Sequence, residues 1–358
     1  MSVSSYYRML KENRFRVHPL KYPMMGLVGG CSVLNSFFNR CQRLQFEDRI
    51  SQAQLSAPPV FIIGHWRSGT TLMHELMSLD PATAFPSNFE AFVPRHFLFS
   101  HWFFFPIIRP LLPKKRPMDS MSISADSPQE DDFALISDGA ATPYRRMAFP
   151  NNEDKHHQQL RFDQANQDQQ SSVRESLDHF LKSLSIRYPD KRLVLKSPPH
   201  TGRISELAKW FPDAKFIHMA RHPHKLVSST MRLWKSMDHT QSFQLPKYDD
   251  DWLKEYVFEC QRLMYDSYFQ HKQELPPERL MEVKFEDLVA SPQETVARIY
   301  EQLRLDGVER VQAPLKEYFD QRRGHKTNPV TLDDALKAEI DSHWKPYADA
   351  FGYRNAGC

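Results

Sequence analysis

The stretch that decides the fold is Pro59-Val60-Phe61-Ile62-Ile63-Gly64-His65-Trp66-Arg67-Ser68-Gly69-Thr70-Thr71-Leu72. Its first part, Pro59 to Ile63, is a run of β-branched and aromatic residues that breaks at Gly64, which is typical of a buried strand. After Gly69, apolar residues at helical spacing predict a helix that ends before Pro81. The stretch therefore predicts a strand, a loop bounded by two glycines, and a helix.

The same alternation of strand and helix recurs downstream. It predicts strands and helices at Arg192–Leu195 (strand), Ile204–Phe211 (helix), Ala214–Met219 (strand), Lys225–Met237 (helix), Asp251–Leu275 (helix) and Leu280–Phe285 (strand). A capping box at Ser291, Pro292 and Glu294 predicts one more helix. Such alternation favours a parallel sheet with crossover helices. We expect an α/β fold of the P-loop type, in three layers, with a central parallel sheet and helices on both faces.

Length and composition restrict the class of protein. The chain has 358 residues, of which 41% are hydrophobic and 25% charged, which is close to the average of globular proteins and argues against disorder. A formal net charge of +3 does not indicate a nucleic-acid partner. No linker divides the chain. We expect an N-terminal helical segment over residues 1–57 and a single α/β domain over residues 58–358.

The N-terminal segment contains an apolar stretch, Pro23 to Phe38, that is shorter than the roughly 20 apolar residues of a membrane span. It predicts a helix that either packs on the core or lies at a membrane surface. The cysteines are far apart and form no CxxC pair, so neither zinc nor a disulfide framework is indicated. We expect a cytoplasmic protein and leave its association with membranes open. The polar run Asn151 to Ser172 predicts a surface loop.

The loop between Gly64 and Gly69 has the features of a phosphate site. In this position, backbone N–H groups and a helix N-terminus can hold an anion. The glycine spacing matches GxxxxGK[ST], but Thr70 replaces the lysine that reaches the outer phosphates of a nucleoside triphosphate. Arg67 instead supplies a bidentate donor, which suits a 5′-phosphate that bears one further group.

A second anion-binding element follows. Arg221 ends a predicted strand, and Ser229 lies about two turns into the helix that begins near Pro223. Two phosphate sites at neighbouring crossovers favour a nucleotide that is phosphorylated at both its 5′ and 3′ positions.

Together these segments resemble the sulfotransferases that use 3′-phosphoadenosine 5′-phosphosulfate (PAPS), especially the bacterial branch similar to tyrosylprotein and carbohydrate sulfotransferases. The resemblance spans about Pro58 to Leu305 and is carried by Pro59–Leu72, Leu193–Pro198, Phe211–Arg221 with Ser229, and Phe285–Leu288. It implies in-line transfer of a sulfuryl group from PAPS to a hydroxyl or amine acceptor, without a metal. The residues that would bind the 5′-phosphosulfate are Arg67, Ser68, Gly69, Thr70 and Thr71, and those that would bind the 3′-phosphate are Arg221 and Ser229.

The resemblance also implies three catalytic candidates. Lys196 matches the family lysine that steadies the leaving phosphate oxygen. Glu90 stands where related enzymes place a catalytic glutamate, but Ser87 and Glu90 also form a capping-box pattern, and both interpretations stay open. His200 is the competing base, although the family histidine lies two residues after the lysine, where this chain has Pro198.

Three further segments have plainer interpretations. Ser127 to Asp132 contains serine, proline and three carboxylates, a pattern typical of a helix start. The basic run Arg322 to Lys326 predicts either a loop that closes over the donor or a solvated charged segment. Aromatic residues crowd Phe89 to Pro113, which predicts an acceptor pocket, a membrane contact or a buried helix.

Several functions remain open at this stage. The acceptor could be a small molecule, a lipid, a carbohydrate or a peptide. One alternative is a P-loop phosphotransferase, against which the missing loop lysine argues. The other is a non-catalytic, membrane-associated homologue that retains the nucleotide site.

Overall fold

Five parallel strands form the centre of the molecule in the computed structural model, which describes residues 1–108, 126–152, 156–321 and 332–353. The strands are β1 (Val60–Gly64), β2 (Thr83–Ala84), β3 (Arg192–Lys196), β4 (Lys215–Ala220) and β5 (Leu280–Lys284). Their order across the sheet is β2-β3-β1-β4-β5, and every neighbouring pair is parallel. The predicted α/β fold class is confirmed, and β1, which precedes the glycine-bounded loop, lies at the centre.

Helices surround this sheet. They are α1 (Val3–Glu12), α2 (Tyr22–Gln52), α3 (Thr70–Met77), α4 (Asn88–Phe92), α5 (Phe97–Ile108), α6 (Asp132–Asp138), α7 (Gln167–Arg187), α8 (Ile204–Trp210), α9 (Pro223–Gln241), α10 (Asp250–His271), α11 (Phe285–Ala290), α12 (Pro292–Gln302), α13 (Glu309–Gln321), α14 (Asp334–His343) and α15 (Lys345–Ala350). A 3-10 turn over Pro198–Arg203 follows β3. The helices predicted after β1, β3 and β4 are all present.

The strands are apolar on both sides because helices cover both faces of the sheet. Val60 and Ile62 of β1 lie in one hydrophobic cluster, whereas Phe61 and Ile63 lie in the other. All four side chains are fully buried. Alternate residues of a strand point to opposite faces, so a continuous apolar run is what a doubly covered parallel sheet requires.

Two local predictions are wrong. The expected surface loop over residues 151–172 ends early, because α7 begins at Gln167 with a capping box made by Asn166 and Gln169. Its polar first turn has the composition of a loop, although those side chains cap a helix. At α12 the helix forms as expected, but the Ser291 side chain makes no capping hydrogen bond.

The first 57 residues contain α1 and the 31-residue helix α2. One side of α2 packs against the rest of the molecule through Ser32, Gln42 and Ile50, which are buried. In the ranges that the structure covers, no helix is both long enough and apolar enough to cross a membrane.

Candidate active site

The loop after β1 requires glycine at both ends. Gly64 has a φ of +136°, and a Cβ atom there would lie 2.4 Å from the carbonyl oxygen of Met219. Gly69 has a φ of +102°, and a Cβ there would lie 2.4 Å from the ring of Phe285. A side chain at either position would combine a left-handed backbone with a clash, so the loop shape depends on these two residues.

The loop delivers polar groups to the N-terminus of α3. Gly69 is the residue before the helix and supplies no side-chain cap for its first N–H groups. The hydroxyl of Ser68 is buried and has no hydrogen-bond partner among the residues that the structure describes. Buried polar groups are normally satisfied, and the positive end of a helix attracts anions. The residues therefore fit a phosphate group bound at this point.

Arg67 joins the two predicted anion-binding elements. Its Nε donates a hydrogen bond to Oγ of Ser229 on α9 at 3.0 Å. Arg221, at the end of β4, donates from Nη1 to the carbonyl oxygen of Arg67 at 2.9 Å. Arg67 itself has a φ of +69°, an uncommon conformation for a residue with a side chain. The structure thus brings together the loop, Arg221 and Ser229, as the sequence predicts.

The guanidinium group of Arg221 is largely removed from solvent. Its guanidinium carbon stacks 4.4 Å from the centre of the Phe285 ring, and its buried Nε has no hydrogen-bond partner in the described part of the chain. Burial lowers the pKa of Arg221, and the nearby positive charge of Arg67 acts in the same direction. Two clustered cations with an unsatisfied donor favour a bound anion between them.

Lys196 pairs with a carboxylate, Glu130, whose sequence context is typical of a helix start. Nζ of Lys196 lies 2.6 Å from Oε1 of Glu130. The other oxygen of Glu130 accepts a hydrogen bond from the hydroxyl of Tyr144, which in turn accepts one from the indole N–H of Trp66 at 2.9 Å. Trp66 directly precedes Arg67, so Glu130 and Lys196 lie beside the phosphate loop.

The next two carboxylates are also paired. Asp131 binds Nε2 of His200, and Asp132 accepts from Arg203 at 2.8 Å; all four side chains are buried. Burial alone would raise the pKa of Asp131, but the charge and hydrogen bond of His200 lower it below its usual value. For Asp132 burial prevails, and its pKa is raised.

The structure corrects the interpretation of the segment from Ser127 to Asp132. The helix in this region, α6, starts only at Asp132, and Pro128 instead forms a β-bridge with Ser87. Three successive carboxylates face Lys196, His200 and Arg203, which lie on the end of β3 and on the turn after it. The pairs are 66, 69 and 71 residues apart in sequence, so local patterns could not reveal them.

Glu90 has the contacts of a capping box. Ser87 and Glu90 cap the start of α4 reciprocally, with the Ser87 N–H donating to Oε2 of Glu90 at 2.8 Å. The hydroxyl of Tyr188 donates to Oε1, also at 2.8 Å. The side chain is completely buried, and burial raises its pKa. Both carboxylate oxygens are thus already engaged within the fold.

Two predicted elements remain to be placed. The basic run Arg322–Lys326 lies outside the described residues. The aromatic segment predicted over Phe89 to Pro113 is described up to Ile108, where it contributes to α4 and forms α5, and its last five residues lie outside the described ranges. The described part is neither wholly buried nor wholly exposed. Phe89 is buried and packs on Phe105, whereas Trp102 is 77% exposed.

Comparison with known proteins agrees with this geometry. The sequence model of the sulfotransferase family matches residues 58–310. The chain is 33% identical, over 350 residues, to the omega-hydroxy-beta-dihydromenaquinone-9 sulfotransferase Stf3 of Mycobacterium bovis and to that of Mycobacterium tuberculosis. These alignments cover 98% of this chain and 89% of each relative.

Solved structures agree on the fold. The sulfotransferase STF9 from Mycobacterium avium superposes with a TM-score of 0.72 at 20% identity, covering 93% of this chain and 86% of that one. STF1 from Mycobacterium tuberculosis gives a TM-score of 0.67 at 17% identity, covering 98% and 93%. Because the family match extends over more than half of the sequence and the relatives align with nearly all of it, the chain belongs to the sulfotransferase family and is an enzyme of sulfuryl transfer.

Proposed function

We propose that the enzyme transfers the sulfuryl group of PAPS to the hydroxyl group of a lipid, with Glu130 as the base. The observation that carries this proposal is the contact between Glu130 and Lys196 beside the loop that fits a phosphate. PAPS supplies an activated sulfuryl group on a stable leaving group, adenosine 3′,5′-bisphosphate. Every other function in the reaction is assigned to backbone and side-chain groups of this chain.

The donor would be held by residues from both anion-binding elements. The N–H groups at the start of α3, with Ser68, Thr70 and Thr71, would hold the 5′-phosphosulfate. No side chain caps this helix end, and the buried Ser68 hydroxyl has no hydrogen-bond partner within the described ranges. Arg221 and Ser229 would hold the 3′-phosphate. The side chain of Arg67 donates to Ser229, and its carbonyl oxygen accepts from Arg221. These hydrogen bonds hold the two anion-binding elements together, so the donor site is partly preorganised.

Lys196 and Glu130 would act on the two ends of the reaction. Lys196 would stabilise negative charge on the leaving phosphate oxygen. Glu130 would accept the proton of the acceptor hydroxyl at its carboxylate, which the hydrogen bond from Tyr144 keeps in one orientation. Its side chain is 16% exposed, whereas Glu90 is sealed inside its capping box. Access to an incoming acceptor therefore favours Glu130 over Glu90.

His200 would serve as a positioning residue. It is completely buried and binds Asp131, the direct neighbour of Glu130. The hydroxyl of Ser197 donates to the same aspartate at 2.9 Å. These bonds would fix the backbone that carries Glu130, so that its carboxylate stays within reach of Lys196.

A lipid is the proposed acceptor for two reasons. The Stf3 relatives are named for a hydroxylated menaquinone, which is a long apolar molecule with a terminal hydroxyl. In this chain, aromatic rings lead from the surface to the candidate base: Phe92, which is exposed, contacts Phe133, and Phe133 contacts Tyr144, with ring centres 5.8 Å and 5.2 Å apart. Apolar contacts suit a long hydrocarbon better than a carbohydrate.

The test is turnover of PAPS with a panel of acceptors that includes a long-chain prenyl alcohol, a sugar and a tyrosine peptide, with the added sulfuryl group detected by mass spectrometry. Sulfation of the prenyl alcohol alone is the expected result. Tight binding of ATP instead of PAPS would support the phosphotransferase alternative. Binding of PAPS without any product would support the non-catalytic alternative.

The base is tested by two matched substitutions. We expect Glu130→Gln to lower kcat by a factor of roughly 100 or more while binding of adenosine 3′,5′-bisphosphate changes little. Glu90→Gln, measured on protein of equal folded fraction, is expected to retain turnover because Gln can keep both hydrogen bonds of the capping box. The reverse outcome would assign the base to Glu90.

A further inference from the structure

The outer side of α2 and the neighbouring part of α5 expose large apolar side chains. We call this surface the apolar face, and its members are Leu27, Val33, Leu34, Phe37 and Leu44 of α2 with Trp102 and Ile107 of α5. Leu27 is 68% exposed and Phe37 is 61% exposed. Exposed apolar side chains that form one connected surface are uncommon in proteins without a partner for it.

The two helices form one surface because their aromatic rings are in contact. Phe38 of α2 lies 5.6 Å from Phe103 of α5, measured between ring centres. Phe37 contacts Phe38 at 5.6 Å, and Trp102 contacts Phe103 at 5.3 Å. The exposed rings of Phe37 and Trp102 are thus linked through a packed pair beneath them.

The distribution of charge around the apolar face is uneven. Between Tyr22 and Asn39 the sequence has no Asp, Glu, Lys or Arg, a length of about 27 Å along the helix. Arg40 and Arg43 follow on α2 and are exposed, and Lys21 precedes it. Residues 1–46 as a whole contain seven Lys or Arg side chains and one Glu. An apolar stripe between cations matches a bilayer that contains anionic lipid.

We propose that the apolar face docks the enzyme on a lipid bilayer with anionic headgroups. The side chains of Leu34, Phe37 and Trp102 enter the boundary between headgroups and acyl chains, while Arg40 and Arg43 bind lipid phosphates. Trp102 suits that depth because an indole combines a large apolar ring with one N–H donor. The inference concerns a surface outside the catalytic centre and does not depend on the identity of the acceptor.

The test is cosedimentation of the full chain with vesicles that contain neither PAPS nor acceptor. We expect binding to vesicles of phosphatidylcholine with phosphatidylglycerol, and a partition coefficient at least tenfold lower for Leu34→Gln/Phe37→Gln. Val289→Gln, which replaces an exposed apolar residue on α11, is the matched control and should bind like the wild type. Circular dichroism and binding of adenosine 3′,5′-bisphosphate check that the variants are folded.

The contribution of the two arginines and the insertion of Trp102 into the bilayer are tested by separate measurements. Arg40→Gln and Arg43→Gln should each weaken binding to the anionic vesicles about fivefold and leave the weak binding to pure phosphatidylcholine unchanged. Trp fluorescence of the wild type should shift to the blue when vesicles are added. Trp102→Phe should retain binding and lose this shift, because the remaining tryptophans do not enter the lipid.

Two results would overturn the proposal. One is equal binding of the wild type and Leu34→Gln/Phe37→Gln to the anionic vesicles. The other is light scattering after size exclusion that shows a dimer for the wild type and a monomer for Leu34→Gln/Phe37→Gln, which would assign the apolar face to a second copy of the chain. Since no acceptor is present, either result leaves the sulfotransferase activity untouched, and a failure of sulfation leaves the docking surface standing.

Discussion

Arg67 connects the phosphate loop to the second anion-binding element, since it donates to Ser229 and its carbonyl accepts from Arg221. Arg67→Ala removes a charged donor and one link between the elements. We expect it to weaken binding of adenosine 3′,5′-bisphosphate by a factor of roughly ten to a hundred, because hydrogen bonds to charged groups contribute about 1.5–3 kcal/mol. Isothermal titration calorimetry measures the change. Arg174→Ala, at an exposed position of α7, is the control and should bind normally. Unchanged affinity in Arg67→Ala would show that the loop binds its anion through the backbone alone.

At the scale of elements, Asp80 fixes the end of α3 to two later helices. Its carboxylate accepts from the Tyr300 hydroxyl of α12 at 2.9 Å and from Nε of Arg310 of α13 at 3.0 Å. Burial alone would raise the pKa of Asp80, but these donors lower it below its usual value of 3.8. A lowered pKa means that the stabilisation is fully present above about pH 4 and is lost as the pH falls through the folded-state pKa. Urea unfolding should therefore show Asp80→Asn about 1–3 kcal/mol less stable than the wild type at pH 7. The difference in unfolding free energy between the two proteins should decrease only below pH 4. A decrease between pH 7 and 5 would contradict a lowered pKa of Asp80.

For the whole molecule, buried neutral histidines predict a loss of stability in mild acid. Burial lowers the pKa of His65 and of His218 from 6.5 to about 4. The unfolded chain therefore binds protons at a higher pH than the native state, so stability is fully present above about pH 6.5 and declines as the pH falls toward 4. Each such histidine contributes about 2 kcal/mol to the decline between pH 7 and 5. Chemical unfolding at pH 7 and pH 5 measures the unfolding free energy at each pH. Between these pH values it should fall by about 2 kcal/mol less in His218→Phe than in the wild type. An equal fall in unfolding free energy in the two proteins would show that His218 takes up its proton between pH 7 and 5 in the native state as it does in the unfolded chain.

The sequence by itself determined strands β1, β3, β4 and β5 and the glycine-bounded loop, whereas it did not predict the two-residue edge strand β2. Strand β1, the two glycines and helix α3 follow one another within 18 residues, from Val60 to Met77, so local patterns suffice to predict them. Arg221 and Ser229, predicted from their places at a strand end and on the next helix, lie beside this loop and contact Arg67. The physical reason is that a parallel sheet places its strand ends at one edge, so residues at successive crossovers meet there.

Only the tertiary structure decided which cations pair with the three carboxylates from Glu130 to Asp132. It also decided which aromatic side chains of α5 are buried and which are exposed. Glu130, Asp131 and Asp132 have the pattern of a helix start, and only folding sets them against Lys196, His200 and Arg203. Likewise, the sequence of α5 does not predict which of its aromatic rings pack on α2 and which remain exposed. Contacts between segments this far apart depend on how the elements pack, because a buried charge must find its counter-charge wherever the fold places one.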